Sequence, residues 1–233
     1  MRIILCFLLF SVLLNCNEAP KKTIKTAPVK KETEAVKKEV LKDTVKEVKN
    51  RFLPLNDDNA MDFFLEYEKE NKESKVRIYT DFGNIDIQLF EDTKFHRANF
   101  IFLTKNKIFD GTQFHRVVKN FVIQGGNTDN KKIANKRKKI RRYLLPPDTK
   151  RGYKHHRGVI SMPSSEIEDA YKLASPYEFF ITQTNQYHLD GQYTIFGKVI
   201  SGMDVVDKIA NQETDDGDWP RHNIYIKKVE VIK

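Results

Sequence analysis

The stretch FDGTQFHRVVKNFVIQGGN, Phe109 to Asn127, sets one arginine, Arg116, among aromatic and β-branched residues and closes on a glutamine and two glycines. Such residues favour strands, and alternate residues of a strand share a face. Read as two strands, FHRVV and FVIQ, the segment turns Arg116 and Val118 one way and His115 and Val117 the other. Val122 and Gln124 share a face of the second strand. A guanidinium and a carboxamide then meet on a largely apolar surface. That surface suits a greasy group whose adjoining polar atoms need hydrogen bonds.

The segments around it read as more short strands. VRIYTD (76–81) and IDIQLF (85–90) alternate apolar and polar residues and join through Phe82-Gly83-Asn84 as a hairpin. A helix is expected at 94–105, with Phe100 and Leu103 on one face and Ile101 at its border. Another is expected at 203–211, with Val205, Val206 and Ile209 facing in. An amphipathic helix is expected within 58–73, anchored by Phe63, Phe64 and Tyr67. Few helices among many short strands predict a mainly β fold closed into a barrel, and about 160 residues suffice for one such core.

DGTQFHR (110–116) followed by FVIQGG (121–126) resembles the cyclophilin family of peptidyl-prolyl cis/trans isomerases. The resemblance continues through GVISMP (158–163), EFFIT (178–182), LDGQYTIFGKVISGMDVVDKI (189–209) and a last strand at 225–232. It implies a closed eight-stranded antiparallel barrel capped by two helices. It also implies catalysed rotation about X–Pro bonds in unfolded or flexible polypeptides, with no cofactor or metal. Arg116 matches the family's catalytic arginine. Phe121, Val122, Phe180 and Leu189 match positions lining the proline pocket, and Gln124 matches the glutamine that holds substrate backbone.

Five positions depart from the family's pattern. Glu178 stands where glutamine is common, Tyr193 where a pocket histidine is common, and Pro163-Ser164 where Ala-Asn or Ala-Arg is usual. Glu178 and Tyr193 still belong to the expected substrate site. His188 replaces the tryptophan with which some members contact cyclosporin, so weak cyclosporin binding is expected, with a titration as the check. His115, facing away from Arg116, reads as structural. His155 and His156 diverge on a strand and lack a third ligand for a metal. Asp190-Gly191 reads as a turn and Trp219-Pro220 as a surface loop.

The N-terminus carries the apolar run IILCFLLFSVLL, residues 3–14. It is shorter than the roughly 20 residues a membrane-spanning helix needs and fits a signal-peptide core. Leu13-Leu14-Asn15-Cys16 resembles a bacterial lipobox, which implies cleavage before Cys16 and its lipidation. The alternative is an ordinary signal peptide with an incidental cysteine. The only other cysteine, Cys6, lies inside the run, so the remaining chain has no disulfide. Residues 17–50 are rich in Lys, Glu, Thr and Val and contain no aromatic residue, a composition that cannot offset its ordering entropy. The expected organisation is a signal peptide at 1–15, a lipidated cysteine and tether at 16–57, and a cyclophilin-like domain at 58–233. It places a monomeric domain in the cell envelope, on the periplasmic side, held to the membrane by its lipid anchor.

With 41 Lys and Arg against 32 Asp and Glu, the net charge is +9. Much of the excess sits in the tether and in Lys131–Arg157. Aromatic residues are sparse there, so the run reads as a solvated loop rather than a nucleic-acid site. Pro146-Pro147 stiffens its middle. A second addition, Ser164–Ser175, contains EIEDAYKLA, which suits a turn or two of helix. Loops of this length often carry specificity. Besides the isomerase, the residues admit a non-catalytic module that holds proline-containing segments, and an envelope interaction protein acting through its basic loops.

Overall fold

A computed structural model of the chain describes residues 54–164 and 171–233. The signal sequence, Cys16, the tether and most of EIEDAYKLA lie outside the described residues. Eight strands close a barrel: β1 (Lys75–Thr80), β2 (Gly83–Leu89), β3 (Thr112–Val117), β4 (Val122–Asn127), β5 (Val159–Ser161), β6 (Phe179–Thr182), β7 (Ile195–Ser201) and β8 (Ile224–Val231). Their order around it is β1-β2-β7-β5-β6-β4-β3-β8, every neighbouring pair antiparallel. β1 and β2 show why the chain curls this way: Val76, Ile78 and Thr80 on β1 and Ile85, Ile87 and Leu89 on β2 are buried, while the residues alternating with them are not. Their two-residue turn is Asp81-Phe82, one step earlier than expected, because Gly83 already pairs with Thr80.

Four α-helices lie among the described residues: α1 (Ala60–Glu70), α2 (Lys94–Lys105), α3 (Lys131–Ile140) and α4 (Met203–Ala210). Two of them, α2 and α4, are the pair that the barrel resemblance implies, and α1 is the expected N-terminal helix. In α2 every residue from His96 to Thr104 is buried, far more than one apolar stripe. The cause is α1, which lies on its outer side. Phe102 faces Phe63 at 5.2 Å and Tyr67 at 5.5 Å, while Phe100 faces the barrel through Phe109 at 4.7 Å and Phe179 at 5.6 Å.

The basic segment is not the solvated loop that its composition suggests. Asn130 caps α3 by accepting from the Lys132 N–H at 2.9 Å, satisfying a donor that a helix start leaves free. Ile133 and Ile140, seven residues apart and so on one face, are buried, as are Tyr143 and Leu145 beyond it. Four apolar anchors among many lysines suffice to dock the segment. The Leu55 N–H donates to the Ile140 carbonyl at 2.7 Å, and Leu145 pairs with Ala174.

His96, on the buried side of α2, has no hydrogen-bond partner for either ring nitrogen. Burial pushes its imidazole down to about 4, against a weak upward pull from Asp148. In the unfolded chain it titrates near 6.5. As pH falls from 6.5 towards 4 the unfolded state therefore takes up a proton that the folded state refuses. Stability should drop by about 1.4 kcal/mol per pH unit over that window and be unaffected by this group above it. Urea midpoints at pH 7 and pH 5 check this. Wild type should lose about 2 kcal/mol more than His96→Leu between the two; equal losses would remove His96 from the account.

Candidate functional site

On β4, Ile123 enters the barrel core, and on β6 Phe179 and Ile181 do the same. The intervening Val122 and Phe180 point to the other side, where they form a separate apolar cluster with Leu189, backed by Phe121 and Tyr193. Register places Gln124 directly opposite Phe180. Phe180 and Tyr193 meet edge to face with ring centres 5.6 Å apart, and Phe121 stacks on His188 at 5.6 Å. The result is a cleft of about 470 Å³, within the range of small-ligand sites.

Arg116 reaches this cleft because β3 is not regular. Phe114 pairs with Gly125 and Arg116 with Gln124, so His115 is an extra residue in a bulge. In an even strand Phe114 and Arg116 would share a face. The bulge sends Phe114 into the core and Arg116 to the cleft beside Gln124. His115 itself is buried and does not line the cleft, in keeping with a structural role. It does not join Val117 in the core cluster; its Nε2 lies 3.6 Å from Glu178 Oε2 and its ring 5.9 Å from that of Trp219. Desolvation lowers its pKa, opposed by Glu178.

The two glycines after Gln124 are demanded by packing. A Cβ on Gly125 would sit 3.0 Å from the Phe114 ring, and one on Gly126 would lie 2.2 Å from the Tyr177 carbonyl oxygen. Gly126 also has φ +108°, which side-chain-bearing residues rarely adopt. This close approach brings Glu178 beside Gln124, whose Nε2 donates to Glu178 Oε2 at 3.0 Å. Glu178 thus touches a cleft residue without lining the cleft itself.

The guanidinium of Arg116 is half-exposed and lies 5.8 Å from the centre of the Phe121 ring. Its Nη2 pairs with Asp218 Oδ2 at 3.1 Å. Asp218 was not singled out in the sequence. It sits with φ +64° in the loop between α4 and β8, a conformation that Asp tolerates better than most residues. Its carbonyl accepts from the Val117 N–H at 2.9 Å. In the same loop Asp215 Oδ1 accepts the N–H groups of Gly217 and Trp219, each at 2.9 Å. Asp215, Asp216 and Asp218 look alike in the sequence, and nothing in it says which returns to Arg116.

Pro163 and Ser164 line the cleft wall. Proline has no N–H, and the Pro163 carbonyl accepts from the Ser175 N–H at 3.0 Å, so Pro163 gives this wall shape rather than backbone hydrogen bonds. Beneath the pocket, buried His155 bonds Asp190 Oδ1 through Nδ1 at 2.9 Å and Ser161 Oγ through Nε2 at 3.2 Å. Its ring stacks on Phe180 at 6.1 Å, and desolvation lowers its pKa against the pull of Asp190. His156 points away, to Tyr187. The polar side chains lining the cleft are those of Arg116, Gln124, Ser164 and Tyr193. None is a carboxylate, thiol or imidazole, so the lining offers hydrogen bonds and an apolar hole rather than an acid–base pair.

The family model described as cyclophilin type peptidyl-prolyl cis-trans isomerase/CLD matches residues 75–231. The chain is 38% identical over 168 residues to a peptidyl-prolyl cis-trans isomerase-like 2 of Rhizopus delemar, a match covering 71% of this chain and 30% of that longer relative. It is 36% identical over 158 residues to the peptidyl-prolyl cis-trans isomerase CYP18-1 of Arabidopsis thaliana, covering 67% of this chain and 94% of the relative. A crystal structure of a Cryptosporidium parvum cyclophilin type peptidyl-prolyl cis-trans isomerase, in the presence of the dipeptide Ala-Pro, superposes with a TM-score of 0.57. It is 28% identical and covers 68% of this chain and 99% of that one. This chain belongs to the cyclophilin-type peptidyl-prolyl cis-trans isomerase family, a family of enzymes.

Proposed function

We propose that this chain is a prolyl isomerase of the cell envelope that acts as a monomer on proline-containing, unfolded or flexible segments of exported polypeptides. The observation that carries the reading is the pairing of Arg116 with Gln124 across β3 and β4, facing an apolar hole. The Cryptosporidium relative crystallised in the presence of Ala-Pro supports a prolyl ligand for that hole. Phe121, Val122, Phe180, Leu189 and Tyr193 enclose the prolyl ring. Gln124, oriented by Glu178, holds the neighbouring backbone.

X–Pro rotation is slow because amide resonance raises a barrier of about 18–20 kcal/mol, giving exchange times of roughly tens to hundreds of seconds. Twisting the amide breaks that resonance and makes the nitrogen a better acceptor. A guanidinium carries five N–H donors. Asp218 engages one end of the Arg116 fork, leaving donors for an amide held over the pocket. A hydrogen bond that strengthens as the amide twists lowers the barrier. Rotation breaks no covalent bond, so the chemistry needs no cofactor.

The envelope location rests on the apolar run 3–14 and on Leu13-Leu14-Asn15-Cys16, with acyl chains on Cys16 as the anchor. Exchange spectroscopy of a short X–Pro peptide tests the activity: the chain should speed cis/trans exchange, and peptide binding without acceleration would leave a proline-binding module. Intact-mass analysis tests the anchor. A lipid-sized mass increment should be lost in Cys16→Ser, and an unmodified chain in the soluble fraction would remove the anchor.

A further inference from the structure

We infer that Glu178 fixes the polarity of the Gln124 amide, so that the cleft reads a backbone N–H of the bound polypeptide through Gln124 Oε1. The inference rests on the reading of the cleft as a peptide site.

A carboxamide has a donor end and an acceptor end, and which one faces a ligand depends on what holds the other. A carboxylate only accepts. Since Gln124 lies 3.0 Å from Glu178 Oε2, its nitrogen and not its oxygen must face that way. Gln124 Oε1 then points from the other end of the same amide, on a side chain that lines the cleft, and it has no partner among the described residues. The charge behind the amide polarises it and strengthens the oxygen as an acceptor.

The Arg137 guanidinium lies within reach of the Glu178 charge, but its Nη2 donates to the Gly126 carbonyl at 2.5 Å. His115 Nε2 stands 3.6 Å from the same Glu178 oxygen, too far for a hydrogen bond, and burial opposes the charging of its ring. Gly126 permits the contact, because its missing side chain lets the backbone of Tyr177 and Glu178 close onto β4. A glutamine at position 178 would offer both a donor and an acceptor and allow either orientation of Gln124.

The test compares a tetrapeptide containing X–Pro with analogues in which one backbone N–H at a time, outside the X–Pro bond, is replaced by an ester oxygen. Full-length wild type and Glu178→Gln are assayed by exchange spectroscopy. In wild type, one replacement should raise KM about tenfold, the cost of leaving an acceptor unpaired, with kcat within about twofold. In Glu178→Gln the same replacement should raise KM less than about threefold, because the freed amide can turn. An equal penalty in both proteins overturns the inference. So does a wild type that isomerises every analogue with unchanged KM. A wild type that accelerates no peptide would sink the isomerase reading itself, and this inference with it.

Discussion

Arg116→Ala is expected to slow catalysed exchange of an X–Pro peptide by about 100-fold or more, while peptide affinity changes by less than about fivefold. The asymmetry follows from what the site supplies. On the proposed reading, the apolar hole formed by Val122, Phe180 and Leu189 would hold the prolyl ring equally well in planar and twisted amides, and so would contribute to binding and not to rate. A donor aimed at charge that develops only on twisting contributes to rate, and losing one such donor typically costs about 100- to 1000-fold. Arg116→Lys separates charge from geometry. Lysine keeps the cation but not the planar fork that can meet Asp218 and a substrate amide at once. It should recover less than about a tenth of the lost rate. Exchange spectroscopy with a parallel titration reads both quantities. A variant with full turnover would show that Arg116 serves only its ion pair with Asp218, and near-wild-type activity in Arg116→Lys would show that charge alone suffices.

The residues that make the cleft are legible from two sources: strand alternation puts Val122 and Gln124 on one face, whereas Phe180 and Leu189 are marked only by the family resemblance. All four line the cleft. Four features were not legible, each for its own reason. The bulge at His115 is a change of register, and register depends on the partner strand. FHR alone cannot show that Phe114 and Arg116 part company. The burial of both sides of α2 depends on α1, which is remote in sequence and covers Phe102. Helix α3 was hidden by its lysines. Its two isoleucines are spaced for one face, but two apolar residues among so many lysines are too weak a periodic signal to mark a helix. Asp218 is the hardest case. It completes the Arg116 environment across a separation in sequence that no local pattern spans, from a loop with three aspartates of similar context.

Glu68→Ala should be the most destabilising single change on the helical side of the barrel, costing about 3–5 kcal/mol. Glu68, on α1, pairs with Arg97 of α2 at 2.6 Å, the arginine side chain being 1% and the glutamate side chain 8% exposed. Lys72 shares the carboxylate at 2.7 Å. Its hydrogen bond is the largest influence lowering the Glu68 pKa, with the charge of Arg97 adding to it. Removing Glu68 strands the guanidinium, whose other contact is the Glu73 carbonyl at 3.3 Å. Arg97 Nε already lacks a partner. An unpaired buried cation costs far more than the intact pair contributes. The double replacement Glu68→Leu with Arg97→Leu should therefore be much less harmful than Glu68→Ala alone, which a smaller fall in Tm reads directly. For a domain of this size each kcal/mol moves Tm by roughly 2–4 °C, so Glu68→Ala should lower it by about 10 °C. Because the glutamate pKa is depressed on folding, the pair's contribution is full above the unfolded value near 4.5 and is lost as pH falls through the folded one. The gap between wild type and Glu68→Ala should thus narrow in acid. Catalysis offers a separate check. The pair is remote from the cleft lining, so kcat measured well below the new midpoint should stay within about twofold of wild type. A variant that keeps its Tm would show that Arg97 finds another partner when α1 is altered. One that keeps its Tm deficit at every pH would place the damage in packing of α1 on α2 rather than in the charge.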